Sequence, residues 1–74
     1  MDRSIQQYFY RMPTRLLEGF LYTCMQTGTW GQYADSIYLA FAALEKREDR
    51  DTDLEMRLRK EWKIFCEKRV ENEG

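Results

Sequence analysis

The sequence contains no histidine, and its two cysteines, Cys24 and Cys66, lie far apart with no Cys-x-x-Cys pair. Without histidine the commonest general base is missing, and so is every Ser–His or Cys–His nucleophile arrangement. Two isolated cysteines cannot by themselves form a structural zinc site. The four glycines do not form either of the glycine-rich phosphate-binding motifs. We therefore expect a protein that is not an enzyme and that has no cofactor and no metal site.

Long hydrophobic runs are absent as well. The longest, residues 37–44, is far shorter than the roughly 20 residues that span a bilayer. The first residues lack the apolar centre of a signal peptide. A net charge of −1, from 12 basic and 13 acidic residues, creates no overall field that attracts nucleic acid or an anionic membrane. Together with two cysteines that are expected to stay reduced, these features predict a cytoplasmic protein without a membrane partner.

Aromatic residues are abundant, since they make up 15% of only 74 residues. A chain of this length forms one domain at most and buries only about 60% of the surface that its unfolded state exposes. Each buried aromatic side chain removes about 150–250 Å² from water. We expect more aromatic side chains than one small core holds, and the surplus suggests a surface for a protein partner or for a second copy of the chain.

The least polar segment runs from Tyr33 to Leu44, and its apolar residues cover most sides of a helix. Ile37, Phe41 and Leu44 have the i, i+4, i+7 spacing of one helical face. A helix that is apolar on most sides must be surrounded by other parts of the protein. We predict an all-α fold, a small three- to four-helix bundle in which this segment is the buried central helix.

The predicted helices of this single domain, residues 1–74, lie at about residues 5–12, 15–26, 32–47 and 53–70. Ser4 begins a possible capping box, Pro13 ends the first helix, and Thr14 can cap the second. Gly28 suits the left-handed position after a helix, and Thr52 begins another capping box. The expected apolar stripes of the first, second and fourth helices are Ile5, Tyr8, Phe9 and Met12; Leu17, Phe20, Leu21 and Cys24; and Leu54, Leu58, Trp62 and Phe65.

Residues 45–53 are charged at every position except Thr52. This run can be a charged docking strip, but a solvated connector is the ordinary interpretation. Lysine, arginine and glutamate tolerate helix well, so the third and fourth helices could also fuse through it. Asp49, Asp51 and Asp53 are poor helix formers and favour a break.

Two candidate surfaces follow from these patterns. Because consecutive helical residues point in different directions, some aromatic side chains must lie partly outside the core, and tyrosine and tryptophan are enriched at the centres of interfaces. The candidate protein interface is Tyr10, Tyr22, Trp30 and Tyr38. The alternative is a nucleic-acid-associated regulator that uses basic residues of the fourth helix, although interleaved glutamates would repel phosphates. Its candidate contacts are Arg57, Lys60, Lys63 and Lys68.

Three short segments carry a resemblance. They are the Tyr-Arg-Met-Pro-Thr run of residues 10–14, the Leu-Leu-Glu of residues 16–18 and the helix end Leu-Glu-Lys-Arg-Glu of residues 44–48. Over about residues 8–48 the chain resembles uncharacterised short helical proteins of clostridia-type Gram-positive bacteria and their mobile elements. The resemblance implies a small cytosolic helical module. We expect a non-enzymatic protein–protein interaction module that self-associates or binds a host protein, for example as a phage or mobile-element inhibitor.

Overall fold

A computed structural model describes the backbone of residues 3–73 and the side chains of residues 5–68. Within residues 3–73 the chain forms four helices and no strand. The helices are α1 (Arg3–Arg11), α2 (Thr14–Thr27), α3 (Ala34–Leu44) and α4 (Thr52–Glu73). The predicted all-α class is confirmed.

The central position of α3 is confirmed too. Ile37, Ala40, Ala43 and Leu44 are completely buried, because α1 and α2 pack against this helix. Tyr38 is the large side chain that α3 leaves exposed. The hydrophobic core is therefore built around α3, and each of the other helices packs one face against it or against its neighbours.

The predicted stripes of α2 and α4 are largely correct. Leu17, Leu21 and Cys24 of α2 and Leu58 of α4 are buried against α3 and against one another. The prediction for α1 is wrong in part, because Phe9 is buried while Ile5 and Tyr8 are exposed. The cause is that α1 packs mainly against α3, so only a narrow row of its side chains is covered.

The start of α2 differs from the expected capping arrangement. Thr14 is already helical, and its hydroxyl donates a hydrogen bond to Asp49 Oδ1 (2.8 Å) instead of capping the helix. The Pro13 carbonyl accepts the first two bonds of the helix, from the N–H groups of Leu16 (3.0 Å) and Leu17 (3.1 Å). The corresponding prediction for Ser4 falls on a side chain outside the described residues, and α1 already includes Ser4.

Gly28 ends α2 as predicted. Its φ of 68° and ψ of 27° are left-handed, and its N–H donates to the Cys24 carbonyl. Glycine is favoured there because a side chain in this conformation collides with the following carbonyl. A turn then leads to α3, which begins at Ala34 rather than at residue 32. A methyl group at Gly31 would lie 3.3 Å from Phe65 Cζ, so this turn packs closely on α4.

α3 and α4 are separate helices, and the fused alternative is wrong. α3 ends at Leu44 rather than at residue 47, because the N–H groups of Lys46 and Arg47 bond to carbonyls only three residues back. The cap of α4 is Asp51 rather than Thr52, since the Asp51 carboxylate accepts the Leu54 N–H (3.1 Å). Helix α4 extends to Glu73, slightly beyond the predicted residue 70.

Candidate protein-interaction surface

The four residues of the predicted interface differ in their exposure to solvent. Tyr10, Tyr22 and Tyr38 are exposed, but Trp30 is only 4% exposed, so the expectation that it lies partly outside the core is wrong. The turn after α2 places its indole against Trp62, with 5.4 Å between the ring centroids. The sequence pattern missed this because the turn, and not a helical stripe, directs the Trp30 side chain inward.

The three exposed tyrosines lie on three different helices. Among the ring contacts of the described residues, Tyr38 meets Trp62 edge to face at 5.3 Å, and Trp62 in turn contacts Trp30 and Phe65. Tyr10 and Tyr22 take no part in this cluster. The structure therefore groups Tyr38 with Trp30 through Trp62, and it does not gather the predicted set into one surface.

The alternative, basic surface lies along α4. The four predicted side chains are all exposed, and so is Glu67, which lies among them. Glu61, half-buried, is a second carboxylate within the same stretch. The neighbouring Arg59 is exposed as well, but its guanidinium is engaged within the protein. It donates to the Glu55 carboxylate and places its guanidinium carbon 4.8 Å from the centre of the Phe41 ring. The four predicted contacts are Arg57, Lys60, Lys63 and Lys68.

An exposed apolar surface lies where α1 meets α2. Tyr8 is 66% exposed and Leu16 is 59% exposed, and Ile5 is exposed one helical turn before Tyr8. Between them is an open groove of about 470 Å³, which we call the α1–α2 groove. Its lining residues are Gln7, Tyr8, Arg11, Met12, Pro13 and Leu16.

The groove exists because Pro13 separates the two helices. Proline has no N–H and disfavours helix at the preceding residue, so α1 ends at Arg11 and the chain changes direction. Phe9 then turns into the core and contacts Phe20 of α2 at 5.8 Å, while Tyr8 stays on the outer side. The run of three aromatic residues at positions 8–10 indicated that some of them must be exposed, because one helix face cannot bury all three.

The connector between α3 and α4 packs on the other side of α2. The buried carboxylate of Glu18 accepts hydrogen bonds from Arg15 (2.6 Å) and from the Asp51 N–H (2.7 Å). The hydrogen bond from Thr14 holds the pKa of the Asp49 carboxyl below its ordinary value. The expectation of a purely solvated connector therefore misses these bonds, which join residues more than 30 positions apart.

A second group of ion pairs lies at the start of α4. Glu55 is buried and accepts from Arg50 (2.9 Å) and from Arg59 (3.2 Å). Burial by itself raises the pKa of the Glu55 carboxyl, but the hydrogen bonds from the two arginines outweigh it, so the pKa lies below its ordinary value. Arg47 donates to the Tyr10 carbonyl (2.6 Å), which attaches the connector to the end of α1.

Among the side chains that the structure describes, those of residues 5–68, no three potential metal ligands come together. Cys24 and Cys66 are free thiols, and burial raises the pKa of the Cys24 thiol despite a hydrogen bond with Thr29 that lowers it. A thiol with a raised pKa forms little of the reactive thiolate.

None of the described helices has both the length and the apolar character needed to cross a membrane.

No protein-family model, curated protein or solved structure matches the chain. The resemblance to short helical proteins of Gram-positive bacteria stays a prediction.

Proposed function

We propose that this protein is a small, non-enzymatic protein–protein interaction module whose binding surface is the α1–α2 groove. The observation that carries the proposal is the exposure of Tyr8 and Leu16 on either side of an open apolar groove. Contiguous apolar surface with a polar rim is typical of sites where proteins bind one another. A tyrosine at the edge supplies the kind of side chain that dominates binding energy at such sites.

The completeness of the core supports this proposal. Among the described residues, every buried side-chain nitrogen and oxygen has a hydrogen-bond partner. The core already contains large fully buried side chains from α2, α3 and α4, so the exposed apolar residues of the groove are not needed to complete it. Covering apolar area contributes about 25 cal/mol per Å², and a partner that covers the groove would gain this contribution.

The proposal includes a cellular setting. We place the module in the cytoplasm, where thiols such as those of Cys24 and Cys66 stay reduced. Its partner is a host protein or a protein of a mobile element, and self-association through the same groove is a second form of the same function. Inhibition of a host protein by a phage or mobile-element product is one specific case.

Site-specific cross-linking tests this function. A photoreactive phenylalanine analogue replaces Leu16 in the groove, and the matched control carries it at Met56, which is 69% exposed on α4. Both proteins are irradiated in the cells that produce them. We expect a discrete cross-linked protein from position 16 and none from position 56. Equal cross-linking at both positions, or none at position 16, contradicts the proposal.

One observation favours a second candidate, a nucleic-acid-associated regulator. Arg57, Lys60, Lys63 and Lys68 are all exposed on α4, where phosphates could reach them. Phosphate contacts make binding fall steeply with salt, by a slope that reports their number. A titration of duplex DNA at increasing salt tests this candidate. Measurable affinity with a steep salt dependence supports it, and the exposed Glu67 argues for the opposite outcome.

A further inference from the structure

We infer that the occupant of the α1–α2 groove is an amphipathic helix of a partner protein whose polar flank is acidic. This inference rests on the proposed function and specifies the partner's chemistry. An amphipathic helix in an apolar groove is one of the recurring modes of protein recognition. The two observations that carry it are the shape of the groove and the sign of the charge around it.

The groove has one apolar side and one polar edge. Tyr8, Met12 and Leu16 recur at four-residue spacing across the Pro13 break and supply the apolar side. Gln7 and Arg11 lie four residues apart on α1, so they share one edge of that helix. A helical partner with apolar residues at i, i+3 or i+4, and i+7 matches this division, because its own apolar stripe is bordered by polar positions.

The charge of this edge has a single sign. Arg11 is the one charged residue among the described residues that line the groove, and it is basic. Arg15 pairs with Glu18 (2.6 Å), whereas Arg11 has no ion-pair partner within the described part of the chain. A guanidinium binds a carboxylate with two parallel hydrogen bonds, so Arg11 is suited to an acidic side chain at the edge of the groove.

Two acidic residues that contact the other side of α2, Glu18 and Asp49, face away from the groove. Thr14 and Glu18 bind the connector, and each is two positions from Leu16, about 160° away around α2 at 3.6 residues per turn. The carboxylates of Asp49 and Glu18 are thus engaged on the other side of the helix. The charged residue in the groove lining, Arg11, is therefore basic although the whole chain carries a net charge of −1.

Two other occupants fit less well. In a two-fold dimer the identical surface of each copy meets itself, so Arg11 would approach the Arg11 edge of a second copy. A peptide that binds by adding a strand needs a sheet edge, and residues 3–73 form no sheet. An acidic helix meets neither difficulty.

The test uses the whole protein and two designed peptides of about 15 residues, the length at which isolated helices begin to form. Both peptides carry leucines at i, i+4 and i+7. One has glutamates on the flank of this stripe, and the other has lysines at the same positions. Fluorescence anisotropy measures the affinity of each peptide for the wild type and for the variants Arg11→Glu, Leu16→Glu and the matched control Met56→Glu. All three substituted side chains are exposed, so circular dichroism is expected to show an unchanged fold.

We expect the acidic peptide to bind the wild type more tightly than the basic one. Arg11→Glu should weaken the acidic peptide by roughly tenfold or more and reverse the preference. Leu16→Glu should weaken both peptides, and Met56→Glu neither. If Leu16→Glu does not fold, the reversal by Arg11→Glu decides by itself.

Equal affinity for the two peptides, or no effect of Arg11→Glu, overturns the inference. So does a concentration-dependent dimer in light scattering that Leu16→Glu abolishes, because the occupant is then a second copy. These failures are distinguishable from failure of the proposed function. Cross-linking from position 16 together with no peptide preference leaves the interaction module standing and removes only the acidic helix.

Discussion

The two connections on either side of α3 are stabilised in different ways. The connection from α2 is held by backbone conformation and apolar packing: Gly28 is left-handed, Trp30 is buried, and Gly31 lies against Phe65. The connection to α4 is held by charged and polar side chains, among them Glu18, which accepts the Asp51 N–H. We call these the apolar turn, residues 28–33, and the polar connector, residues 45–51.

Because of this difference, the two connections should respond differently to pH and salt. Apolar packing and backbone strain do not depend on protonation in the range where carboxylates titrate. Charge-assisted hydrogen bonds do, and their partly exposed members are screened by salt. We therefore expect substitutions in the apolar turn to have the same effect at every pH, and those in the polar connector to lose their effect in acid.

The largest effect is expected for Trp30→Ala. Removing a buried tryptophan leaves a cavity beside Trp62 and costs about 3–5 kcal/mol of unfolding free energy. Urea denaturation followed by circular dichroism measures it, with Tyr22→Ala as the exposed control, expected within about 0.5 kcal/mol. If Trp30→Ala is unfolded in water, Trp30→Phe gives a smaller loss that can be measured. A Trp30→Ala variant as stable as the control would show that the turn does not depend on this side chain.

Glu18→Ala is expected to come next, at about 1–3 kcal/mol, because the Asp51 N–H loses its hydrogen bond to the buried, charged Glu18 carboxylate. Glu18→Gln keeps an acceptor oxygen and should lose less. The control Arg15→Ala removes only an exposed partner of Glu18 and should cost less than Glu18→Ala. Urea denaturation ranks the three variants, and equal losses for Glu18→Ala and Arg15→Ala would contradict the role given to the Asp51 contact.

Gly28→Ala is expected to cost about 1–2 kcal/mol, because the left-handed conformation at φ 68° brings a Cβ too close to the following carbonyl. Gly19→Ala is the matched control. Gly19 is in the middle of α2 with nothing within 4 Å of an added Cβ, so alanine there should stabilise the protein by about 0.5–1 kcal/mol. Opposite signs for the two glycines support the comparison, and stabilisation at both positions refutes it.

The last prediction concerns the pH dependence of the unfolding free energy. Protonation of the Asp49 carboxylate in the polar connector and of the Glu55 carboxylate at the start of α4 should lower this free energy in acid and leave it unchanged near neutral pH. Glu55 and Asp49 have lowered pKa values in the folded protein, so both contribute stability above the unfolded-state values of about 4. This contribution is lost as the pH falls through their folded-state pKa values. Denaturation from pH 7 to pH values below about 4 measures the loss.

Two variants sharpen this pH experiment. Thr14→Val removes the hydrogen bond that lowers the Asp49 pKa, so part of the loss in acid should disappear. Gly28→Ala should shift the whole pH curve down by a constant amount. A pH curve for Thr14→Val parallel to that of the wild type would exclude the Thr14–Asp49 hydrogen bond from the acid response.

Much of the helical architecture could be predicted from local signals. The apolar coverage of residues 33–44 identifies the central helix, Pro13 identifies the end of α1, and Gly28 identifies the end of α2. Each of these signals acts through its own backbone or its own helical face. The caps were harder to predict. Thr14 and Thr52 match the preferred residue type, but the Thr14 hydroxyl bonds to Asp49 and the cap of α4 is Asp51, one residue earlier.

The surface could be predicted only in part. The run of aromatics at positions 8–10 signals that some must be exposed, but which one turns inward depends on how α1 packs on α3. The burial of Trp30 and Glu18 depends on partners far away in the sequence, Trp62 and Asp51. No periodic pattern within one helix contains that information.

The contact between Trp30 and Trp62 allows the structure of this region to be followed by intrinsic tryptophan fluorescence. These are the only two indoles of the chain, and their centroids lie 5.4 Å apart at the place where the apolar turn meets α4. Emission excited at the red edge of the absorption band therefore reports on this junction alone. Opening of the polar connector in acid would leave that emission almost unchanged until the turn itself detaches, so a label-free fluorimeter can follow the apolar turn independently of the polar connector.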